Sequence, residues 1–519
     1  MTAAELLVWE LKQRGIDWMA TLCGHGLDPL FQAAHKAGMR LVDARNEQTA
    51  AYLADAYGRL TRRPGVCAVS SGIAQVNALA GVTNAWFDHA PMLLISGAAT
   101  SSTAGMGHFQ DLDQVALARP ITKLSRSIDS AGRTSQILGE ALEAAVDDPP
   151  GPVHLMFPMD VQNTEAGAGA SVKPAPVSTR PAAPDLNFQD IASSLAVAKS
   201  PLVIAGSGIF YGSSGEAMVQ FCENCRIPLV TPIWDRGSVD RPSNVFLGVI
   251  GAATGGPVIL SEADCILMAG SEIDYRVGYL LPPEVRSDAR LFMFERSWDT
   301  LSNACRNQDK RAREAWLAEC VRRRDEFRQG VEKRAEEQRG GGMHALDVIG
   351  AIQAVLPEKP VLLIDGGSIG QWVHQLLCSD RYPGDWLTCG RSGVVGWGIG
   401  GAMAARLAFP QRPVILLSGD GAFTFNVADL ESAVRQKLPF VAIVADDQGW
   451  GITRSGHVRQ FGEPIASSLG PIAFDRLAES LGARGVRACT GDEVASELRR
   501  AIAEPVVTVI HAPIAGGHP

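Results

Sequence analysis

Two segments organise the fold of this chain: Leu416-Leu-Ser-Gly-Asp-Gly-Ala-Phe-Thr-Phe-Asn426 and Val444-Ala-Asp-Asp-Gln-Gly-Trp-Gly451. An apolar strand predicted over 413–417 runs into the Gly-Asp-Gly turn, a helix is predicted over 426–436, and a second apolar strand over 440–445 ends in acidic residues. In a right-handed strand-helix-strand crossover both strands end at the same edge of a parallel sheet. We therefore expect Asp420 and Asp447 to lie close together.

These two aspartates predict a metal site. Carboxylates are hard oxygen ligands that suit Mg²⁺, and the carbonyl of Gly449 can complete the set around a bound phosphate. The glycines of the turn, Gly419 and Gly421, let the backbone approach phosphate closely. Gly-Asp-Gly alone is also typical of an ordinary turn, so the interpretation depends on the second segment at this spacing.

The composition predicts a globular enzyme of several domains. The 519 residues suffice for about three domains, and no apolar run is long enough to span a bilayer. The first residues carry two glutamates in an apolar pattern, which indicates an amphipathic helix, not a signal peptide, so we expect a cytoplasmic protein. The net charge of −9 leaves no basic surplus for nucleic acid or membrane partners. We interpret the closest cysteine pair, Cys222 and Cys225, as structural thiols.

Helices alternate with short apolar strands along most of the chain, which predicts three doubly wound α/β domains with mainly parallel sheets. Their predicted boundaries are 1–165, 187–335 and 343–519. Residues 167–186, rich in Ala, Pro, Ser and Val, are predicted to be a linker. A long charged helix over about 310–338 leads through three glycines to the last domain.

Three motifs in the first domain carry candidate functional residues. The glycine-rich turn Cys23-Gly-His-Gly26 precedes a helix, Glu47 stands in the first turn after a strand, and Ser70-Ser-Gly-Ile-Ala-Gln-Val-Asn77 is followed by Gly107-His-Phe-Gln110. Each motif alone has an ordinary interpretation: a surface loop, a carboxylate favoured by the helix dipole, or a hydrogen-bonded structural amide.

As an ordered set, these motifs and the two C-terminal segments resemble the thiamine-diphosphate-dependent decarboxylase and carboligase superfamily, most closely its acetolactate synthase and benzaldehyde lyase branch. The resemblance runs through nearly the whole chain. It implies a pyrimidine-binding domain, a middle domain and a diphosphate-binding domain, with thiamine diphosphate and Mg²⁺ as cofactors. The chain departs from the family at Asp447, where relatives carry asparagine. The added negative charge predicts weaker cofactor binding or a stricter need for the divalent ion.

On this resemblance, Glu47 is the carboxylate that hydrogen-bonds the aminopyrimidine ring, so that the amino group can take the proton of the thiazolium ring. Asn77 lies near the cofactor, Gln110 faces the thiazolium and the substrate, and His25 occupies a substrate-facing position where it can relay protons. For Asn77 and Gln110 a structural amide, and for His25 a surface loop histidine, remain as alternatives.

The resemblance also assigns the residues of the last domain. Gly367 and Ser368 contact the diphosphate, the carbonyl of Gly393 accepts from the pyrimidine amino group, and Val395, smaller than the usual Met, Leu or Ile, props the bent cofactor. The predicted metal ligands are Asp420, Asp447 and the carbonyl of Gly449. The predicted cofactor contacts of this domain are Gly367, Ser368, Gly393, Val395, Gly419, Gly421, Ala422, Asp447, Gly449 and Trp450.

The resemblance implies a carboligase or lyase that makes or cleaves a C–C bond next to a carbonyl of a 2-oxo acid or 2-hydroxyketone. A simple 2-oxo acid decarboxylase and a 2-hydroxyacyl-CoA lyase are the alternatives within the superfamily. Two alternatives belong to other functional classes: a non-catalytic member that binds the cofactor and serves as a regulator, and a nicotinamide dehydrogenase, which rests on Gly206-Ser-Gly208 alone. Flavin (FAD) or a CoA nucleotide occupies the middle domain of some relatives, but we expect this one to be empty. The resemblance implies a homodimer as the minimal active unit and a homotetramer as the typical assembly.

Overall fold

A computed structural model describes residues 1–167, 188–251, 256–337 and 340–515. It contains three α/β layers, each built on its own sheet, and every strand pair in these ranges is parallel. The predicted fold class is therefore confirmed. The predicted linker over 167–186 lies, apart from its first residue, outside the described residues, as does the first residue of the predicted second domain.

The first layer is a six-stranded sheet covered by helices on both faces. Its strands are β1 (Trp18–Leu22), β2 (Arg40–Asp43), β3 (Gly65–Val69), β4 (Met92–Ala98), β5 (Leu124–Ser127) and β6 (Pro152–Pro158). Its helices are α1 (Ala3–Gln13), α2 (Asp28–Lys36), α3 (Glu47–Thr61), α4 (Ile73–Phe87), α5 (Gln114–Ala118), α6 (Thr134–Val146) and α7 (Met159–Asn163). The strand order is β2-β1-β3-β4-β6-β5. The central strands β3 and β4 are buried along their whole length, in agreement with their largely apolar sequences.

The middle layer has five strands. They are β7 (Pro201–Ala205), β8 (Leu229–Pro232), β9 (Phe246–Ile250), β10 (Cys265–Ala269) and β11 (Arg290–Met293), in the order β11-β10-β7-β8-β9. Its helices are α8 (Phe188–Val197), α9 (Ser207–Tyr211), α10 (Gly215–Cys225), α11 (Trp298–Cys305) and the long charged α12 (Arg311–Glu337). Cys222 and Cys225 are buried free thiols on α10.

The last layer repeats the strand succession of the first. Its strands are β12 (Val361–Asp365), β13 (Trp386–Leu387), β14 (Val414–Gly419), β15 (Val441–Asp446), β16 (Arg484–Arg487) and β17 (Thr508–Pro513), in the order β13-β12-β14-β15-β17-β16. Its helices are α13 (Ala345–Val355), α14 (Gly367–Leu376), α15 (Gly398–Ala408), α16 (Asp420–Thr424), α17 (Asp429–Arg435), α18 (Gly451–Phe461), α19 (Phe474–Ser480) and α20 (Gly491–Ala503).

The helix predicted over 426–436 is wrong at its start, because α17 begins only at Asp429. Asn426 lies in the connection between α16 and α17. The Asn426 side chain is buried and donates to the carbonyl of Gly396 at 2.9 Å. This contact with a distant loop holds the chain out of helical continuity and brings that loop to the end of β14.

The first and last layers share one apolar core, in which α3 packs on both α4 and α15. Short 3₁₀ helices complete the connections at Ser101–Thr103, Arg119–Ile121, Ala131–Arg133, Leu260–Glu262, Tyr275–Leu280 and Leu377–Ser379. Within the described ranges, none of the helices combines the length and the apolar character needed to cross a bilayer.

Candidate active site

A cavity of about 360 Å³ opens at the carboxyl edge of the last sheet. Its walls come from the loop after β12, the loop before α15 and the turns that follow β14 and β15. All the site residues predicted in this domain line it: Gly367, Ser368, Gly393, Val395, Gly419, Asp420, Gly421, Ala422, Asp447, Gly449 and Trp450. We call this cavity the C-terminal half-site.

Strand pairing brings the two predicted metal-binding aspartates together. β14 and β15 are adjacent, with Gly419 opposite Ala445, so Asp420 and Asp447 follow neighbouring strand ends. The Oδ2 atom of Asp420 accepts the N–H of Gly449 at 3.0 Å, which ties the two turns to each other. Asp446 faces away from the cavity and pairs with Nε2 of His511 at 2.9 Å. Only the second aspartate of the Asp446-Asp447 pair therefore serves the cavity.

The electrostatics of the C-terminal half-site favour a cation. Burial and, after it, the neighbouring carboxylate of Asp447 together raise the pKa of Asp420 to about 7. Burial likewise raises the pKa of Asp447, and the positive charge of the Arg454 guanidinium opposes this rise. Arg454 donates to Oδ2 of Asp447 at 2.7 Å. Two facing carboxylates with one arginine leave negative charge that a divalent ion would neutralise.

The cavity also suits a diphosphate. The hydroxyl of Ser368 is buried in its wall without a hydrogen-bond partner. The loops approach so closely that a Cβ on Gly366, whose φ is +137°, would lie 2.7 Å from the backbone nitrogen of Gly419. Among the described residues no group of three His, Cys, Asp or Glu side chains could hold a metal, so an ion here takes two carboxylates and other oxygens. The residues present fit a divalent ion with a phosphorylated cofactor.

Asp365 is a site residue that sequence reasoning missed. It ends β12, is 1% exposed, and accepts the N–H of Gly396 at 3.1 Å and that of Gly398 at 2.8 Å. Burial raises its pKa to about 7. These bonds hold the loop that carries Gly393 and Val395 into the cavity. The signal in the sequence was an acidic residue at the end of an apolar strand, directly before a glycine loop.

Two of the residues predicted in the first domain lie side by side. Glu47 is the first residue of α3, whose N-terminus is capped by Asn46 accepting the N–H of Gln48 at 2.8 Å. Asn77, on α4, donates from Nδ2 to Oε2 of Glu47 at 3.0 Å. Asn77 therefore orients the carboxylate of Glu47.

His25 and Gln110 form a second group nearby in the same domain. Ser71 donates to Oε1 of Gln110 at 3.1 Å and also reaches the carbonyl of His25 at 3.5 Å. The ring of His25 stacks on that of His108, with centroids 6.0 Å apart, and its Nε2 is buried without a partner. Ser71 and His108 were missed, because nothing in a sequence shows which loops meet. We call His25, Glu47, Asn77 and Gln110 the N-terminal half-site.

The two half-sites do not meet within one chain. None of the residues of the N-terminal half-site lines the C-terminal cavity. Arg45, two residues before Glu47, contacts α17 and not the cavity. Its backbone N–H donates to Asp429 at 2.7 Å, and its side chain pairs with Glu431 at 2.8 Å.

Comparison with known families identifies the chain. Three models cover it in order, described as thiamine pyrophosphate enzyme, N-terminal TPP binding domain (residues 1–117), central domain (residues 188–305) and C-terminal TPP binding domain (residues 365–512). The chain belongs to the thiamine pyrophosphate enzymes. Thiamine pyrophosphate is thiamine diphosphate, so the predicted cofactor is confirmed at this level, and the cavity lies in the part matched by the C-terminal domain.

Similar proteins extend this assignment along the whole chain. A probable acetolactate synthase of Mycobacterium bovis is 28% identical over 532 residues, which cover 98% of this chain and 95% of the relative. Proteins named 2-hydroxyacyl-CoA lyase 2 are 26% identical in Caenorhabditis elegans and 27% in Homo sapiens, covering 97% and 92% of this chain and 87% and 83% of the relatives. The predicted resemblance and the predicted class, a thiamine-diphosphate-dependent carboligase or lyase, are confirmed.

Proposed function

We propose that this enzyme uses thiamine diphosphate and Mg²⁺ to make or cleave a C–C bond next to a carbonyl. The donor is a 2-oxo acid or a 2-hydroxyketone, and the acceptor an aldehyde or an oxo acid. The observation that carries the proposal is the cavity in which Ser368, the glycine loops, Asp420 and Asp447 converge. The relatives named acetolactate synthase and 2-hydroxyacyl-CoA lyase support it.

The C-terminal half-site binds the cofactor in this proposal. Ser368 and the neighbouring backbone hold the diphosphate, and Asp420, Asp447 and the carbonyl of Gly449 hold Mg²⁺. The Gly393 carbonyl accepts from the pyrimidine amino group, and Val395 packs against the bent cofactor. The bound cofactor supplies a nucleophilic carbon and an electron sink for the acyl group.

The N-terminal half-site handles protons and the substrate in this proposal. Glu47 holds a proton at the pyrimidine ring, and Asn77 fixes its orientation through the 3.0 Å hydrogen bond. Gln110, held by Ser71, orients a substrate carbonyl. His25, whose Nε2 has no protein partner, moves a proton at a substrate oxygen.

We further propose a homodimer as the minimal active unit, within a homotetramer, because each half-site needs its counterpart from a second copy. Exposed apolar side chains beside both half-sites support this proposal. Ile73 and Phe109 are 57% and 64% exposed near the first, and Phe425 and Ile452 are 50% and 40% exposed near the second. Burial of such side chains stabilises association. The cytoplasmic location and the empty middle domain stay predictions.

The reaction is tested with thiamine diphosphate, Mg²⁺, a panel of 2-oxo acids and an aldehyde acceptor, by measuring carbon dioxide against 2-hydroxyketone. Equal amounts of both, lost in the Glu47→Gln variant, support a carboligase and name its donor. Carbon dioxide with free aldehyde alone identifies a simple decarboxylase. 2-Hydroxyketones are included as the second proposed donor class, with aldehyde release as the readout, and a 2-hydroxyacyl-CoA because two of the compared relatives carry that lyase name. Thiamine diphosphate bound without turnover of any donor contradicts the proposal and favours a regulator.

The shared site is tested by co-expressing Glu47→Gln with Asp420→Asn. If each site combines the N-terminal half-site of one chain with the C-terminal half-site of its partner, random pairing restores up to about a quarter of the wild-type activity from two inactive variants. The double variant Glu47→Gln/Asp420→Asn in one chain, co-expressed with itself, is the control. Absence of any restoration would show that each chain builds its own site.

A further inference from the structure

One arginine opposes the charge that distinguishes this chain from the family pattern. Asp447 stands where the family has a neutral asparagine, directly beside the proposed diphosphate site. Arg454, in the first turn of α18, places Nη2 2.7 Å from Oδ2 of Asp447. The Asp447 side chain is 11% exposed and that of Arg454 25% exposed, so the pair is largely shielded from solvent.

Arg454 also clamps the turn that carries Asp447. Its Nη1 donates to the carbonyl of Asp447 at 2.9 Å and reaches that of Gln448 at 3.3 Å. Gln448 has a φ of +55°, a conformation that needs support from its surroundings. The guanidinium lies so close to Gly449 that a Cβ there would collide with it. One side chain therefore contacts both the carboxylate and the backbone of the turn.

We propose that Arg454 is a positioning residue that holds Asp447 and cancels the charge which this aspartate adds to the diphosphate site. The inference rests on the proposed cofactor and metal. With the pair intact, Asp420 is the one uncompensated carboxylate of the half-site, as it would be beside an asparagine. Arg454 acts through Asp447 and not on the diphosphate itself.

This proposal predicts opposite effects for the two partners. Arg454→Met leaves two negative charges, so thiamine diphosphate binds more weakly when Mg²⁺ is limiting. Asp447→Asn leaves an unpaired guanidinium, so binding depends less on Mg²⁺. In Asp447→Asn/Arg454→Met the net charge equals that of the wild type, and the Mg²⁺ dependence returns towards it. We expect each single change to move the dissociation constant at low Mg²⁺ by about fivefold.

The experiment titrates thiamine diphosphate into the four full-length proteins at low and saturating Mg²⁺, following tryptophan fluorescence, because Trp450 lines the cavity. Arg459→Met, which changes an exposed arginine on the same helix, is the matched control. Arg454→Lys, which keeps the charge, should preserve most of the wild-type Mg²⁺ dependence. Thermal unfolding of each variant checks that it is folded.

The decisive result is the cost of Arg454→Met at the two Mg²⁺ concentrations and its compensation by Asp447→Asn. The proposal expects a cost at low Mg²⁺ that disappears at saturating Mg²⁺ and that is offset in Asp447→Asn/Arg454→Met, which binds thiamine diphosphate like the wild type. A cost that persists at saturating Mg²⁺ would show direct contact with the diphosphate, and no cost at either concentration would show that the ion pair has no effect on binding; both overturn it. Binding of Mn²⁺ alone, followed by electron paramagnetic resonance, gives a separate arm in which Arg454→Met tightens the ion about fivefold. If no variant binds thiamine diphosphate, the proposed function fails, and unchanged or weaker Mn²⁺ binding overturns the role of Arg454 on its own.

Discussion

Replacing Arg59 by methionine should destabilise the junction of the domains more than any surface change. Arg59 lies on α3 and is fully buried. Its Nη2 is 2.6 Å from Oδ2 of Asp88 and donates to the carbonyl of Thr388 at 2.7 Å, while its Nη1 is 3.8 Å from Oδ2 of Asp55. One guanidinium therefore joins two buried carboxylates of the first domain to a strand end of the last.

The expected loss follows from the charges that remain. Methionine fills most of the volume but leaves Asp55 and Asp88 buried without this cation. Removing one partner of a buried ion pair costs about 3–5 kcal/mol, and the lost donor to Thr388 adds about 1 kcal/mol. At about 2–4 °C per kcal/mol for a domain of this size, the midpoint of thermal unfolding should fall by about 10 °C.

Thermal unfolding followed by circular dichroism measures this loss, with Arg133→Met as the control. Arg133 pairs with Asp129 at 2.8 Å, but both side chains are exposed, so its loss should cost less than about 1 kcal/mol. Burial raises the pKa of Asp55 to about 7, and loss of the guanidinium raises it further, so Asp55 takes up a proton more readily in acid. The Arg59→Met penalty should therefore be smaller at pH 5.5 than at pH 8. An effect no larger than that of the control would refute the assignment of a buried charge network.

Two further predictions concern stability in acid and the cofactor cavity. Burial lowers the pKa of His154 from 6.5 to about 3 in the folded chain. Below pH 6.5 the unfolded chain therefore binds a proton that the folded chain does not, which lowers the free energy of unfolding by about 2 kcal/mol at pH 5. His154→Gln should remove this part of the acid sensitivity, and equal changes of midpoint between pH 7.5 and pH 5 in both proteins would contradict it. Gly421→Ala should weaken thiamine diphosphate binding by about tenfold or more, because the added Cβ would lie 2.7 Å from the ring of Trp450. Unchanged affinity in a fluorescence titration would show that the ring moves aside freely.

The C-terminal half-site was predictable because its parts are local. Each of its predicted residues lies at or close to the end of a strand or helix, and parallel strands joined by right-handed crossovers end at one edge. Asp420 and Asp447 meet because β14 and β15 are neighbours in the sheet. The roles of Glu47 and Asn77 at the cofactor were expected only from the resemblance, and the hydrogen bond between them was not predicted, since no spacing rule joins two different helices.

The amino-acid sequence by itself determined the three α/β layers, the cofactor family and the residues at the strand ends, because hydrophobic periodicity and turn chemistry act over short distances along the chain. Only the tertiary structure decided which groups pair with or hydrogen-bond the buried charges. Arg454 opposes Asp447, Asp365 anchors the loop before α15, and Arg59 joins two domains. Such contacts depend on where packing directs each side chain, and a buried charge selects its partner by distance in space, not by separation in the sequence.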